Sequence, residues 1–141
     1  MIFLDTSVLV PACQTRHEHH DLSHKLLSRQ TPATAACAGH SLAEMFSVLT
    51  RMPAPFRMTA DEALFFVEEM KQRLSVWVIG PHDYFTTIRS CVEQKQSGGL
   101  IFDALLIACA RKGGAQHIAT WDVKHFRTLA PDMADRIIQP D

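Results

Sequence analysis

Residues 1–10 read MIFLDTSVLV. Four apolar residues form a strand-like run, Asp5 interrupts it, and after Thr6 and Ser7 the apolar pattern resumes. A buried strand that ends on a carboxylate and turns at once into a second apolar segment is the opening of a βα unit, with the charge delivered to the end of the strand. The same alternation recurs along the chain. Candidate strands are MIFL (1–4), TAACA (34–38), VWVI (76–79), HIAT (117–120) and RIIQ (136–139), with helical patterns in the gaps. These predict an α/β fold with helix layers on both sides of a mostly parallel sheet of four to five strands.

The helices carry their own start and stop signals. EHHDLSHKLLSR, from Glu18, places Leu22, Leu26 and Leu27 on one side. Ser41 and Glu44 in SLAEMFSVLTR, and Thr59 and Glu62 in TADEALFFVEEMKQRL, both read as capping boxes. A further helix is expected from about Asp83 to Gln96, stopping at Ser97-Gly98-Gly99, and IFDALLIACARK stops at Gly113-Gly114. MPAPF (52–56) is a break too short for a domain linker. With 141 residues, 47% of them hydrophobic, one domain spanning residues 1–141 is expected.

Other classes are disfavoured. The apolar start has no basic segment before it and no cleavage-site pattern after it, so a secretory leader is not expected and the cytoplasm is. No apolar run reaches the roughly 20 residues of a membrane helix. Cys13, Cys37, Cys91 and Cys109 form no C-x-x-C pair and read as reduced, mostly buried thiols. A net charge of −1 gives no general attraction for nucleic acid, so such a partner would need a local patch. HEHHDLSH, residues 17–24, places His20 and His24 four apart, but Asp21 replaces the Glu of H-E-x-x-H, and a solvent-facing helix start is the better reading. Trp121 reads better as a cover for the core than as a base-stacking ring, and Phe46, Leu49, Phe65, Phe66 and Met70 as core or dimer-interface residues.

Four acidic residues fall at strand ends or helix starts: Asp5, Glu44, Asp103 and Asp122. Each has an ordinary explanation alone: a cap, a capping-box partner, helix-dipole compensation, a turn residue. Asp103 is the hardest to treat so, because Ile101, Phe102, Ala104, Leu105, Leu106 and Ile107 suggest a helix buried nearly all round, where a charge needs a partner. In an open parallel sheet the strand carboxyl ends and the first turns of the following helices share one edge, so the four can converge. Clustered carboxylates repel unless a cation neutralises them. Hard oxygen donors without Cys or His select Mg²⁺ or Mn²⁺, and such an ion supports phosphodiester hydrolysis.

Together MIFLDTSVLV, SLAEMFSVL, GLIFDALLIACA and IATWDVKHF resemble the PIN domain, in particular the VapC-type ribonuclease toxins of bacterial toxin–antitoxin systems, over essentially the whole chain. The resemblance implies a Mg²⁺- or Mn²⁺-dependent endoribonuclease, often homodimeric, acting on RNA and inhibited by a cognate antitoxin. It places the acidic site on Asp5, Glu44, Asp103 and Asp122, with Ser7 and Thr120 orienting carboxylates. Lys124 stands where many relatives carry a further acidic residue, which puts a second metal site in question. Lys124, His125 and Arg127 form a basic cluster that suits either phosphate contact or a solvated surface. Neutralising the four carboxylates leaves 14 basic against 11 acidic residues, +3 in place of −1. A non-catalytic module on the same fold is disfavoured by retention of all four acids, and an Asp5-nucleophile phosphotransferase by Ser7 in the place of a second Asp.

Overall fold

The computed structural model describes all residues, 1–141. Five strands form one sheet: β1 (Ile2–Leu4), β2 (Ala35–Ala38), β3 (Ser75–Trp77), β4 (His117–Ala119) and β5 (Ile137–Ile138). Their spatial order is β3-β2-β1-β4-β5 and every pairing is parallel. The helices are α1 (Thr6–Ala12), α2 (His20–Ser28), α3 (Gly39–Arg51), α4 (Ala60–Arg73), α5 (Pro81–Glu93), α6 (Leu100–Lys112) and α7 (Val123–Leu129), and a short 3₁₀ helix spans Pro131–Arg136.

The inner strands are short and buried on both faces. β2 is AACA, entirely buried, and such small residues let helices approach closely from both sides. Leu4, Ala35, Cys37 and Ala119 face the core shared with α1–α4. Phe3, Ala36, Ala38, Ile118 and Ile137 face the opposite core, filled from α6 by Leu106, Ile107, Cys109 and Ala110 and from α7 by Phe126. The alternation of adjacent residues between two apolar cores gives a three-layer α/β/α sandwich. Gly113, at the end of α6, lies under the Trp77 ring so closely that a Cβ there would stand 2.1 Å from a ring carbon. All four cysteines are free and buried, as expected. No helix is long and apolar enough to cross a membrane.

The strands lie where the sequence placed them, to within a residue or two. The Thr59–Glu62 capping box is formed at α4, where Glu62 N–H donates to Thr59 Oγ1 at 3.2 Å and Thr59 N–H donates to Glu62 Oε2 at 2.7 Å. The Ser41–Glu44 box is not. β2 runs into α3 without a loop, so Ala38 is the N-cap, Ser41 lies inside the helix and is fully buried, and its Oγ has no partner. Glu44 therefore sits in the second turn of α3. The helix carrying Asp103 is less enclosed than its sequence suggests, since Phe102 is 58% exposed.

Order β3-β2-β1-β4-β5 makes β1 and β4 the pair at which the chain departs in opposite directions. That divergence opens a crevice at their carboxyl ends. Asp5 follows β1 and Thr120–Asp122 follow β4. α3 starts directly from the end of β2. α6 runs back to feed β4, so its first turn, with Asp103, lies at the same edge.

Candidate active site

Asp5, Glu44, Asp103 and Asp122, the four acids singled out by the sequence, line one open cleft of about 510 Å³ at this edge. Val10, Val48, Met52 and Phe126 form its apolar walls, and His17, Glu18, His19 and Trp121 its remaining side.

Asp5 is the buried member, 4% exposed. It occupies the N-cap position of α1, yet its carboxylate makes no capping bond. Instead Oδ2 accepts from Ser7 Oγ at 2.6 Å and from Thr120 Oγ1 at 2.8 Å. Ser7 Oγ also accepts from Trp121 N–H at 3.0 Å, and Thr120 Oγ1 from Asp122 N–H at 3.1 Å. These bonds tie the turn after β1 to the turn after β4 and leave Oδ1 free of both hydroxyls. Burial pushes the Asp5 carboxyl above its ordinary range, and the two hydroxyl bonds pull the other way.

Glu44 reaches from α3, and its Oε2 accepts from Thr6 Oγ1 at 2.9 Å. This bond to β1's following turn replaces the capping role the sequence allowed. Asp103, on the first turn of α6, is pushed up to about 6 by burial and then by the negative charges of Asp5, Glu44 and Asp122, with His125 opposing. Asp122 caps α7, accepting from His125 N–H at 3.3 Å, so the turn reading holds alongside its place in the cleft. Between the last two carboxylates stands His125, with Nδ1 3.1 Å from Asp103 Oδ2 and 3.4 Å from Asp122 Oδ2.

The donor set fits a hard divalent cation: carboxylate oxygens from four elements, one buried and one with its proton affinity raised by burial and then by three like charges. The four ring the cleft and do not close on one point, since no three His, Cys, Asp or Glu side chains stand together as a ready metal cage. Asp5 and Asp103 are the most enclosed ligand candidates, while the Asp122 side chain is 61% exposed.

The proposed basic cluster divides. His125 belongs to the cleft. Arg127 turns away, donating from Nε to Ala134 O and from Nη2 to Ile137 O, each at 3.0 Å, and so pins the 3₁₀ helix and β5. Lys124 is exposed on the first turn of α7. His17 and His19 border the cleft although the sequence assigned them to a solvated helix start. The i, i+4 pair His20 and His24 is not in it, and His20 Nδ1 lies 2.9 Å from Pro11 O.

Residues 2–130 match the family model described as PIN domain. The chain is 30% identical over 128 residues to ribonuclease VapC40 of Mycobacterium tuberculosis, covering 91% of each chain. Among solved structures it resembles VapC20 of Mycobacterium tuberculosis, described as a Sarcin-Ricin loop cleaving toxin, with a TM-score of 0.73 and 19% identity, covering 91% of this chain and 95% of the other. It also resembles VapBC2 from Rickettsia felis, bound to a fragment of promoter DNA, with a TM-score of 0.67 and 18% identity over 100% of both chains.

Proposed function

The chain belongs to the PIN domain family, and from that premise we propose that residues 1–141 form a single such domain, a divalent-metal-dependent endoribonuclease that is the toxin of a toxin–antitoxin pair. The observation that carries this reading is the meeting of Asp5, Glu44, Asp103 and Asp122 around one cleft at the sheet's switch point. Its likeness to a named ribonuclease over 91% of the chain supports the same activity.

Asp5, Asp103, Asp122 and Glu44 would hold Mg²⁺ or Mn²⁺. When bound, the ion supplies charge neutralisation at the phosphate and an activated water for in-line hydrolysis. The chain's own residues supply position. Ser7 and Thr120 fix the Asp5 carboxylate, Thr6 holds Glu44 toward the cleft, and His125 orients Asp103 and Asp122. Val10, Val48, Met52 and Phe126 form the apolar walls of the site.

An exposed apolar stripe supports a reading of one partner. On α5, Phe85, Ile88 and Val92 are 69%, 46% and 69% exposed at i, i+3 and i+7. That stripe suits a second copy of the chain, and a homodimer is proposed there. A cognate antitoxin is proposed as the inhibitor, its C-terminal part occupying the cleft that holds the four carboxylates. Free buried thiols and RNA substrates suit the cytoplasm.

Expression of the chain with and without Asp5→Asn, followed by sequencing of RNA 5′ ends, tests the reading. The wild type is expected to arrest growth and produce new 5′ ends at defined positions, and the variant to produce neither. Identical 5′ ends from soluble, folded Asp5→Asn protein would overturn it.

A further inference from the structure

The cleft has a second chemical character opposite its acids. His19 lies flat on Trp121, with ring centroids 3.8 Å apart and planes 7° from parallel. Trp121 cannot swing away easily. Its backbone N–H donates to Ser7 Oγ at 3.0 Å, its indole Nε1–H donates to the buried Ser23 Oγ at 2.8 Å, and its ring packs on the core below. His19 N–H donates in turn to His17 Nδ1 at 3.1 Å, which sets the second imidazole beside the first, 5.5 Å away. All three rings border the cleft that holds the carboxylates.

His19 is a poor choice for its local position. It is the N-cap of α2 and makes no side-chain capping bond, where Ser, Thr, Asp or Asn would satisfy a free helix N–H. An aliphatic side chain would cover Trp121 as well without bringing a polar ring to the surface. Its side chain is 35% exposed, and the carboxylate nearest to it, Glu18 at 3.8 Å from Nε2, is 82% exposed and points to solvent rather than burying the ring. Trp121 and Asp122 are adjacent in sequence, so the stacked rings and the acidic site are held in fixed register. A site built of carboxylates, on a chain of net charge −1, draws little affinity for RNA from long-range charge. Stacking on a π-face adds a sequence-tolerant source beside any phosphate contact to the metal-neutralised site.

Resting on the ribonuclease reading above, we propose that His19, backed by Trp121, is a stacking platform for a nucleobase flanking the scissile phosphate, and so a substrate-positioning residue. The base continues the Trp121–His19 stack outward, which holds the neighbouring phosphate over Asp5 and Asp103.

The test compares His19→Ala and His19→Phe in the Asp5→Asn background, with Mg²⁺ present. Dissociation constants are measured for fluorescein-labelled single-stranded RNA oligonucleotides of A-, C-, G- and U-rich sequence, and for copies with a single abasic position moved along the strand. His19→Ala is expected to weaken binding roughly five-fold or more, and His19→Phe to restore it. At one abasic position the two losses are expected to be non-additive. If His19→Ala binds RNA within twofold of its parent, or if Phe fails to restore a loss seen with Ala, the platform is overturned. A lowered melting temperature with unchanged binding would identify the ring as a cover for Trp121. Failure of the nuclease reading looks different: wild-type protein would then cut none of these RNAs with Mg²⁺ or Mn²⁺, whatever stands at position 19.

Discussion

At the scale of single residues, the site depends on hydroxyls as much as on carboxylates. Asp5 is buried, and Ser7 and Thr120 share its Oδ2. Ser7→Ala or Thr120→Val is expected to lower metal-dependent cleavage about 10- to 100-fold by loosening that carboxylate. A folded double variant with wild-type cleavage would remove the positioning role. Asp5, Asp103 and Asp122 were legible in the sequence because strand ends and helix starts converge at one edge of a parallel sheet, whereas Ser7 and Thr120 were reached only through the family resemblance. Glu44 was found for a partly mistaken reason. Ser-x-x-Glu fits a capping box, but the helix begins at Gly39 and the carboxylate bonds Thr6, 38 residues away. Arg127 shows the same limit in reverse, since charge pattern alone does not reveal that its guanidinium is spent on two carbonyls of the last turn and strand. The place of His19 was invisible for a related reason. Its partner Trp121 lies far along the chain, and only the fold brings the two rings face to face.

At the scale of elements, every strand was readable from its short apolar run, while boundaries moved by up to two or three residues, as at β3 (Ser75–Trp77 for the expected 76–79), at α5 (Pro81–Glu93 for about 83–96) and between β2 and α3, where no loop intervenes. α6 is where sequence and packing differ most. It reads as apolar on all sides, yet Phe102 is 58% exposed, because the first turn of α6 rims the cleft while the later turns fill the core. Its far end is set by a close approach. Gly113→Ala would drive a methyl into the Trp77 ring, so a loss of about 1–3 kcal/mol is expected in chemical denaturation, with the metal site unaffected. Unchanged stability would mean that Trp77 moves aside freely. The Thr59 box on α4 is remote from the cleft, and Thr59→Ala is expected to cost about 1 kcal/mol of stability while leaving RNA cleavage intact.

At the scale of the whole molecule, a fold that gathers four carboxylates around one cleft gives up stability there, and on the proposed metal-dependent reading a bound cation offsets that cost. Asp103 rises from 3.8 to about 6, so the folded state binds its proton more tightly than the unfolded chain does. With chelator present, the stabilisation from that proton is full below pH 3.8, declines through the interval to about 6, and is absent above it. Asp103→Asn, which cannot ionise, is therefore expected to exceed the wild type in stability near pH 7 and to lose that lead near pH 4. Allowing for the third of the side chain that is in water, the difference is on the order of 1–2 kcal/mol. A lead that does not change with pH would contradict the electrostatic origin of the shift. The same carboxylates converge on the most direct measurement, a titration of Mn²⁺ into chelator-treated wild-type and Asp103→Asn protein while RNA cleavage is followed. Cleavage is expected to appear with the metal in the wild type and to fall on the order of 10²-fold or more in the variant. Equal rates in both proteins, or full cleavage by the wild type with chelator in excess, would contradict the carboxylate–metal site.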